Sequence, residues 1–225
     1  MCGRYALAQA HEALRVRFGF VDDPVAPYQI FPRYNVAPTQ MAAIVTNGEG
    51  RKLKAMQWGL IPHWAREASI GANLINARSD TVAEKPSFRD SFRRRRCLVP
   101  ATGFFEWKKD PLGKSKQPMY ITVKDQELFS FAGLWSVWED PQKKLELLTF
   151  TILTTEPNEF MKTIHNRMPV ILRPELEAVW LDHGSPPVRL KEALAPYPAD
   201  QMVAVPVSKL VNSPRNDTPD CISPL

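Results

Sequence analysis

The stretch Met119–Thr154, with the sequence MYITVKDQELFSFAGLWSVWEDPQKKLELLTFTILT, decides the fold. It contains three runs rich in β-branched and aromatic residues, Met119–Val123, Leu128–Trp138 and Leu145–Thr154, separated by short polar segments. Residues of these types favour β-strands, and the polar segments between them are typical of turns. The stretch therefore predicts consecutive strands within a strand-rich core.

Further strands and helices are predicted on both sides of this stretch. Met41–Thr46 and Arg51–Trp58 flank Asn47-Gly48, a pair that favours a hairpin turn. The other predicted strands are Cys97–Pro100, Gly103–Lys108 and Val203–Val207. Helices are predicted at Ala8–Phe18, Pro86–Arg94 and Pro174–Leu181, with a helical turn at Pro157–Met161. The segments interpreted as irregular are the ordered loop Pro24–Pro38, the loop that reaches Asn73–Arg78, and the tail Asn212–Leu225.

The composition favours one domain built from many short elements. Of the 225 residues, 44% are hydrophobic and 24% are charged, as in ordinary folded proteins. The 21 prolines are about twice the usual share, whereas the 10 glycines are few, which argues against a doubly wound sheet with glycine-rich loops. No repeat or flexible linker divides the chain. Residues 1–225 are therefore expected to form a single α+β domain with helices at the edges of a strand-rich core.

Charge and cysteine content narrow the choice of partners and cofactors. The formal net charge of +5 is mild support for a polyanionic partner. Cys2, Cys97 and Cys221 form neither a disulfide framework nor a zinc motif, so no metal or cofactor is expected. We interpret Cys97 and Cys221 as structural residues. The sequence has no apolar signal region and no apolar stretch long enough to cross a membrane, which predicts a soluble, cytoplasmic protein.

The amino-terminal stretch Met1–Tyr5 contains the most reactive candidate residue. Initiator methionine is normally removed when the next residue is small, and removal would leave Cys2 with a free amine beside its thiol. The amine and thiol have reference pKa values of about 7.7–8.0 and about 8.5, so both are partly nucleophilic near neutral pH. Together they condense with an aldehyde to an imine and then to a five-membered thiazolidine. The alternative is that a cysteine at position 2 is incidental.

Three further residues suit proton transfer or polar catalysis. Glu106 lies in an aromatic stretch, where burial would raise the pKa of its carboxyl, although strand alternation alone would point it to solvent. His165 is either a proton shuttle or a structural histidine, and Asn76 either polarises a carbonyl or belongs to a turn. Cys2, His165 and Asn76 also match the residue types of thiol hydrolases, a geometry that sequence spacing leaves open.

Basic and aromatic residues recur along the chain. The arginines that offer phosphate partners are Arg4, Arg78, Arg93–Arg96 and Arg167. The aromatic residues that offer stacking faces are Tyr34, Trp58, Trp64 and Trp107. Basic groups combined with stacking faces are typical of proteins that bind single-stranded DNA. The run Arg93–Arg96 fits the solvated end of a helix equally well.

Motifs along the whole chain resemble, in order, those of one protein family. They are Met1–Tyr5, Arg33–Pro38, Trp58–Pro62, Ile75–Arg78, Arg96–Pro100, Gly103–Trp107, Ile164–Pro169 and the tail between Val207 and Asp217. On these motifs the sequence is identified as a member of the SOS response-associated peptidase (SRAP) family of abasic-site processing proteins. The run Arg93–Arg96 does not belong to the core motifs, which leaves its role open.

The resemblance implies a fold, a substrate and a reaction. The implied fold has a barrel-like β core, peripheral helices and a positively charged cleft. The implied partner is single-stranded DNA that contains abasic sites, with junctions between single and double strands as a further candidate, and no cofactor is implied. Met1 would be removed with help from the protein's own active site, and Cys2 would then form a thiazolidine with the ring-opened abasic aldehyde. We expect a monomer that acts near replicating DNA.

The resemblance also implies roles for individual residues. Cys2 would be the nucleophile through nitrogen and sulfur, and Asn76 would position its amine and the sugar. Glu106 would transfer protons on the amine and imine and support reversal, while His165 would protonate the sugar ring oxygen. The residues that match DNA-contacting positions are Arg4, Pro38, Trp64, Arg78, Trp107 and Thr154.

Two other functional classes fit parts of the same sequence. A thiol peptidase or amidohydrolase would use only the sulfur of Cys2, on a peptide or amide substrate. A noncovalent single-strand-binding module would need only the arginines and tryptophans. A DNA adduct that survives denaturation would distinguish the crosslinking enzyme from both.

Overall fold

Two β-sheets make up most of the structure, a computed structural model that describes residues 2–22, 30–48, 50–110, 112–113 and 115–225. The strands in chain order are β1 Tyr5–Leu7, β2 Arg33–Val36, β3 Met41–Gly48, β4 Gly50–Trp58, β5 Asn76–Arg78, β6 Arg96–Ala101, β7 Gly103–Lys109, β8 Lys116–Val123, β9 Phe129–Glu139, β10 Glu146–Thr155, β11 Met168–Pro169, β12 Ile171–Leu172 and β13 Met202–Pro206. The α-helices are α1 His11–Phe18, α2 Arg89–Arg94, α3 Glu159–Lys162, α4 Pro174–Leu181 and α5 Pro187–Ala193. Short 3-10 helices lie at Ala68–Asn73, Ala199–Gln201, Lys209–Asn212 and Pro219–Cys221.

Five of the described strands close into a barrel. β3 pairs with β4 and β6, β6 pairs with β9, β9 pairs with β10, and β10 returns to β4. The β10–β4 pairing is parallel and the other four are antiparallel. Further strands extend the ring, since β5 and β11 add to β10 and β12 adds to β9. The strand-rich α+β architecture with a barrel-like core is therefore confirmed.

The second sheet, in the order β13-β8-β7-β1-β2, carries the amino-terminal strand. Tyr5 of β1 packs edge-on against Trp58 and Phe131 of the barrel, with ring centroids 5.3 and 6.0 Å apart. Phe104 of β7 contacts Phe131 in the same way at 5.9 Å. Aromatic pairs in this geometry stabilise a fold beyond the area they bury. These contacts fix the chain that follows Cys2 against the barrel.

The carboxy-terminal segment is hydrogen bonded to β1 and β2. The buried side-chain amide of Asn35 donates to three tail carbonyls, those of Val211, Ser213 and Asn216. The carboxylate of Asp217 accepts the backbone N–H of Asn35 at 2.9 Å and forms an ion pair with Arg33. Residues from opposite ends of the chain thereby share one polar network.

Most predicted elements are confirmed, but several begin or end at other residues, as in α1, which was predicted from Ala8 and begins at His11. In the β3–β4 hairpin Asn47 pairs with Arg51 and Gly48 with Gly50, so Asn47-Gly48 lies in the strand pairing and not at a two-residue turn. The helix predicted from Pro86 begins only at Arg89, because Phe88 has the non-helical angles φ −124° and ψ −27°. Local turn and cap signals therefore located these elements only to within a few residues.

Two segments interpreted as loops are strands. Arg33–Val36 is β2, paired with β1, and Asn76–Arg78 is β5, paired with β10. Their partners lie far away in the sequence, so local patterns gave no sign of the pairing. The rest of the proline-rich loop includes residues 24–29, which lie outside the described residues. Helix α5 was not predicted from the sequence. No helix of the described residues has both the length and the apolar character needed to span a membrane.

Candidate functional site

Cys2 lies where the amino-terminal segment runs beside β7. Tyr5 pairs with Phe104, and the N–H of Phe105 donates to the Arg4 carbonyl at 2.9 Å, so the antiparallel register leads the preceding residues towards Glu106. The Cys2 side chain is buried. Burial raises the pKa of its thiol well above the usual range, and the Glu106 carboxylate is the second cause. The structure therefore brings Cys2 within electrostatic reach of Glu106.

Glu106 is a buried carboxyl and not a surface residue. Only 3% of it is exposed, because the first half of β7 is covered on both faces and alternation does not send Glu106 outwards. The solvent-facing alternative for Glu106 is therefore wrong. Burial raises the pKa of the carboxyl to about 7. A group with this pKa exists in both protonation states near neutral pH, as a general acid–base catalyst requires.

His165 is held in the segment between α3 and β11. The side chain of Asn158 caps α3 by accepting the N–H of Met161 at 2.8 Å, and the N–H of His165 donates to the Met161 carbonyl at 2.8 Å. This local structure directs the imidazole so that Nε2 lies 3.9 Å from Oε2 of Glu106. Nδ1 lies 3.2 Å from both the N–H and the carbonyl of Arg167. His165 thus contacts Glu106 through one ring nitrogen and the backbone through the other.

The environment of His165 favours the neutral imidazole. Burial is the main cause that lowers its pKa, and nearby cations, among them Lys116 and Lys109, lower it further. The hydrogen bond to the backbone of Arg167 raises the pKa of His165 and so partly offsets these effects. At neutral pH we therefore expect an uncharged His165 beside a Glu106 carboxyl that is partly protonated, because the pKa of Glu106 is about 7.

Glu106 and His165 line one pocket of about 720 Å³. Trp107 and Lys109 of β7 and Lys116 of β8 form one side, and the segment from Lys162 to Asn166 forms another. Cys2 and Asn76 are not among its lining residues. Of the four predicted catalytic residues, Glu106 and His165 thus share the pocket. Cys2 is close to Glu106 but buried.

Asn76 is set in β5, opposite Ile152 of β10. Its amide nitrogen donates to the Ile75 carbonyl at 3.0 Å. Its Oδ1 atom is buried and accepts no hydrogen bond from the described residues, and Asn76 is not hydrogen bonded to Cys2 or Glu106. A buried acceptor without a donor costs about 1–3 kcal/mol, so this oxygen is a natural partner for a ligand donor.

The predicted phosphate contacts differ in accessibility. The guanidinium of Arg4 is partly buried and donates to Asn35 Oδ1 at 2.8 Å and to the Val211 carbonyl at 2.6 Å. Arg78 is exposed and forms an ion pair with Asp80 at 2.6 Å. The Thr154 side chain is buried, and its Oγ1 lies 3.3 Å from the donor Nη2 of Arg167. Of these residues, Arg78 presents the most accessible cation.

The predicted base-contacting residues lie in separate places. Trp64 is half exposed and lines a second cavity of about 360 Å³ together with Arg66 and Asn73. Pro38 is partly buried in the turn between β2 and β3. Trp107 lies at the first pocket, where its Nε1–H donates to Asn212 Oδ1 at 2.8 Å. The second cavity around Trp64 was not predicted from the sequence.

The arginine run Arg93–Arg96 divides into exposed and buried members. Arg93 and Arg94 are exposed at the end of α2, in agreement with the solvated-helix interpretation. Arg96 is buried, and its guanidinium donates to three backbone carbonyls, those of Phe92, Trp180 and Asp182. Arg96 is therefore a structural residue.

The remaining cysteines lie apart from this chemistry. Cys97 and Cys221 are fully buried and free, and burial raises the pKa of the Cys97 thiol. Within the described ranges no group of three or more His, Cys, Asp or Glu side chains is arranged to hold a metal ion.

Comparisons with known proteins give a consistent family assignment. A chain from Bacillus subtilis (strain 168), Abasic site processing protein YoqW, is 45% identical over 225 residues, covering 99% of each chain. Abasic site processing protein HMCES from Xenopus tropicalis is 33% identical over 268 residues, covering 99% of this chain and 78% of the relative. A crystal structure of a protein from Bacteroides thetaiotaomicron superimposes with a TM-score of 0.91 at 32% identity, covering 100% of both chains. A family model for SOS response associated peptidase (SRAP) matches residues 1–214, and the chain belongs to this family.

Proposed function

We propose that this protein processes abasic sites in single-stranded DNA by forming a covalent bond through Cys2. The observation that carries the proposal is the buried Glu106. Its carboxylate is close enough to help raise the pKa of the Cys2 thiol, and its Oε2 lies 3.9 Å from Nε2 of His165. Relatives named abasic site processing proteins, at up to 46% identity over almost the whole chain, support the same substrate. An abasic sugar opens to an aldehyde, the group with which a 1,2-aminothiol condenses.

The proposed reaction joins both nucleophiles of Cys2 to the aldehyde carbon. The α-amine, freed by hydrolysis of the Met1–Cys2 peptide bond, attacks first, and loss of one water gives an imine. The thiol sulfur then adds to the imine carbon and its proton ends on the nitrogen, which closes the thiazolidine. Because the pKa of the buried Cys2 thiol is raised, the thiol stays protonated at neutral pH, which supports the order amine before sulfur.

Glu106 is the proposed proton carrier for these steps. With a pKa of about 7 it accepts a proton from the attacking amine and returns it to the leaving hydroxyl without a large energetic cost. The same exchange run backwards supports reversal of the adduct. Removal of Met1 by the protein's own site would use the same pair, Cys2 and Glu106, with one water consumed.

His165 and Asn76 are the proposed sugar-handling residues. The abasic sugar is mostly a closed hemiacetal, and the imidazole at the pocket wall, after taking up a proton, is placed to pass it to the ring oxygen. The free Oδ1 of Asn76 would accept from the Cys2 amine or a sugar hydroxyl. The proposed DNA contacts are Arg4, Pro38, Trp64, Arg78, Trp107 and Thr154, of which Thr154 acts through Arg167. The proposed unit is a monomer that requires no cofactor.

The test is a denaturing gel. The full chain is incubated with a single-stranded oligonucleotide that carries one abasic site, and the mixture is boiled in detergent. The matched control oligonucleotide carries tetrahydrofuran, which has no aldehyde. We expect a shifted band only with the abasic site, with the intact mass of the protein without Met1 plus the oligonucleotide less one water. A peptidase or a noncovalent binder leaves no shifted band, and that result would overturn the proposal.

A further inference from the structure

Three lysines line the pocket that contains Glu106 and His165. Lys109 and Lys116 belong to β7 and β8, and Lys162 is the last residue of α3. The other charged residue of the lining is Glu106, whose carboxyl is partly protonated near neutral pH because burial raises its pKa to about 7. The mouth of the pocket therefore carries an excess of positive charge, although none of these lysines belongs to the proposed reaction.

The placement of Lys109 and Lys116 is unfavourable for the sheet itself. They are directly opposite each other in the antiparallel β7–β8 pair, where like charges are destabilising. Both side chains are exposed. The ion pairs formed between described residues, such as Lys144–Glu139, Lys162–Glu159 and His165–Glu106, include neither lysine. Two unpaired ammonium groups at one cross-strand position are suited to bind an anion between them.

The strand alternation adds an aromatic surface to this pair. Trp107 and Lys109 are two residues apart in β7, so they lie on the same face, and Trp107 also lines the pocket. Aromatic rings next to lysines form the platform on which single strands stack a base while a cation holds the adjoining phosphate. The opposite wall contributes Lys162, which is already paired with Glu159.

We propose that Lys109 and Lys116, with Lys162 facing them, form a subsite for one backbone phosphate adjacent to the nucleotide in the pocket. This inference rests on the proposed function and deepens it, because it adds a phosphate partner at this pocket, whose lining contains no arginine among the described residues. The pocket has room for such a group, since its volume is about 720 Å³. Arg4 is already engaged with Asn35 and Val211, which leaves the lysines as the accessible cations at this pocket.

The subsite also bears on His165. Lys116 and Lys109 are close enough to contribute to the lowered pKa of the imidazole, after burial. A phosphate bound between the two lysines would offset their charge and make the imidazolium more favourable. Substrate binding would in this way prepare the group that opens the sugar.

The experiment measures noncovalent binding to an oligonucleotide with tetrahydrofuran at the lesion position. The double variant K109Q/K116Q removes the charges, and Lys108→Gln is the matched control, since Lys108 is an exposed lysine of the same strand that does not line the pocket. Loss of one phosphate contact is expected to lower the salt slope by about 0.7 and to raise the Kd about fivefold at about 0.1 M salt. The control should retain the wild-type slope.

A neutral methylphosphonate placed at successive positions identifies the phosphate. In the wild-type protein one position next to the lesion should weaken binding, and in K109Q/K116Q the same position should have no further effect. A wild-type salt slope in the double variant, an equal loss in the control, or a persisting methylphosphonate effect would each overturn the inference.

The outcome is separable from that of the proposed function. Tetrahydrofuran forms no adduct, so the binding measurement reports the subsite alone. If the wild-type protein crosslinks abasic DNA but the lysine variant binds normally, the subsite is refuted and the proposed function stands. If no adduct forms while the lysine variant still loses one phosphate contact, the subsite stands and the proposed chemistry is refuted.

Discussion

Nε2 of His165 lies 3.9 Å from Oε2 of Glu106, so a partly exposed imidazole faces a carboxyl that is only 3% exposed. The two groups are delivered by different parts of the fold, one by β7 of the second sheet and the other by the segment after α3. Burial shifts the two pKa values in opposite directions, upwards to about 7 for Glu106 and below its ordinary value for His165, so the carboxyl holds a proton more readily than the imidazole does. A small change in the local charge therefore redistributes a proton between them.

Glu106→Gln is expected to change how stability depends on pH. The pKa of Glu106 is about 7 in the folded protein against an ordinary value of 4.5, so the folded state binds more protons between these values. The contribution of Glu106 to stability is greatest below pH 4.5 and is lost as the pH rises through 7. Relative to wild type, the variant should gain up to about 3 kcal/mol over this range.

Urea unfolding of both proteins at several pH values checks this prediction. The difference between the two unfolding free energies should grow as the pH rises from 4.5 to above 7. A constant difference over that range would show that Glu106 titrates normally. The crosslinking rate of the same variant should also fall, because glutamine cannot transfer the proton.

Cys2→Ser separates the role of the amine from that of the thiol. Serine keeps the free amine after removal of Met1 but offers only a hydroxyl, so the imine closes poorly. We expect little adduct after boiling, and recovery of an adduct when cyanoborohydride reduces the imine to a stable secondary amine. Cys2→Ala should behave in the same way. A full yield of resistant adduct from either variant without reduction would contradict a thiazolidine.

His165→Ala is expected to slow crosslinking more when the abasic sugar is a closed ring than when the substrate already presents an open aldehyde. General acid catalysis of ring opening is worth about 10²–10⁴ in rate, so the loss should be of this order on a natural abasic site. An oligonucleotide with an acyclic aldehyde needs no ring opening and should be affected much less. Single-turnover rates on both substrates give the comparison, with exposed His183→Ala as the control. Equal losses on the two substrates would argue against ring opening as the role of His165.

Arg96→Lys tests the division within the arginine run. The buried guanidinium donates to three carbonyls, each at 2.6 Å, which a single ammonium cannot reach at once. Unfolding should become easier by about 2–4 kcal/mol. The exposed Arg94→Lys should stay within about 0.5 kcal/mol of wild type. Similar values for the two variants in urea unfolding would mean that Arg96 is not structural.

Asn35→Ala tests the network between β2 and the tail. It removes the amide that binds three tail carbonyls and the acceptor of Arg4, which leaves several buried groups unpaired. A loss of about 2–4 kcal/mol is expected in urea unfolding. Asn47→Ala is the control, because the Asn47 side chain is exposed and, among the described residues, forms a single long hydrogen bond of 3.4 Å. An equal effect of the two changes would mean that the network contributes little.

Local sequence patterns predicted most strands but not their partners. The runs that became β9 and β10 carry clear strand residues, and their antiparallel pairing follows from a short connection. The parallel pairing of β10 with β4 closes the barrel. No local sequence pattern in either segment predicts this pairing. Strand β5 was missed for the same reason, because three residues next to a distant partner show no periodicity of their own.

The candidate site shows the same limit. Alternation in β7 predicts an exposed Glu106, yet the barrel covers one face of this part of the strand and the carboxy-terminal segment covers the other, so the residue is buried. Cys2 and His165 were named individually, but Cys2 approaches Glu106 through the β1–β7 register, and His165 does so through the position of the segment after α3. The lysine pair was missed because Lys109 and Lys116 become neighbours only through the β7–β8 register.

The hydrogen bonds between the carboxy-terminal tail and the first two strands can form only late in synthesis of the chain. A ribosome releases the amino terminus first, so Arg4 and Asn35 emerge long before the carbonyls of Val211 and Asn216 that they bind. A nascent chain that stops short of residue 211 lacks these partners and leaves β1 incompletely held. The hydrogen bonds that hold the segment around Arg4 are therefore completed last, although this segment is among the first to be made, and truncated translation products would contain it without these bonds.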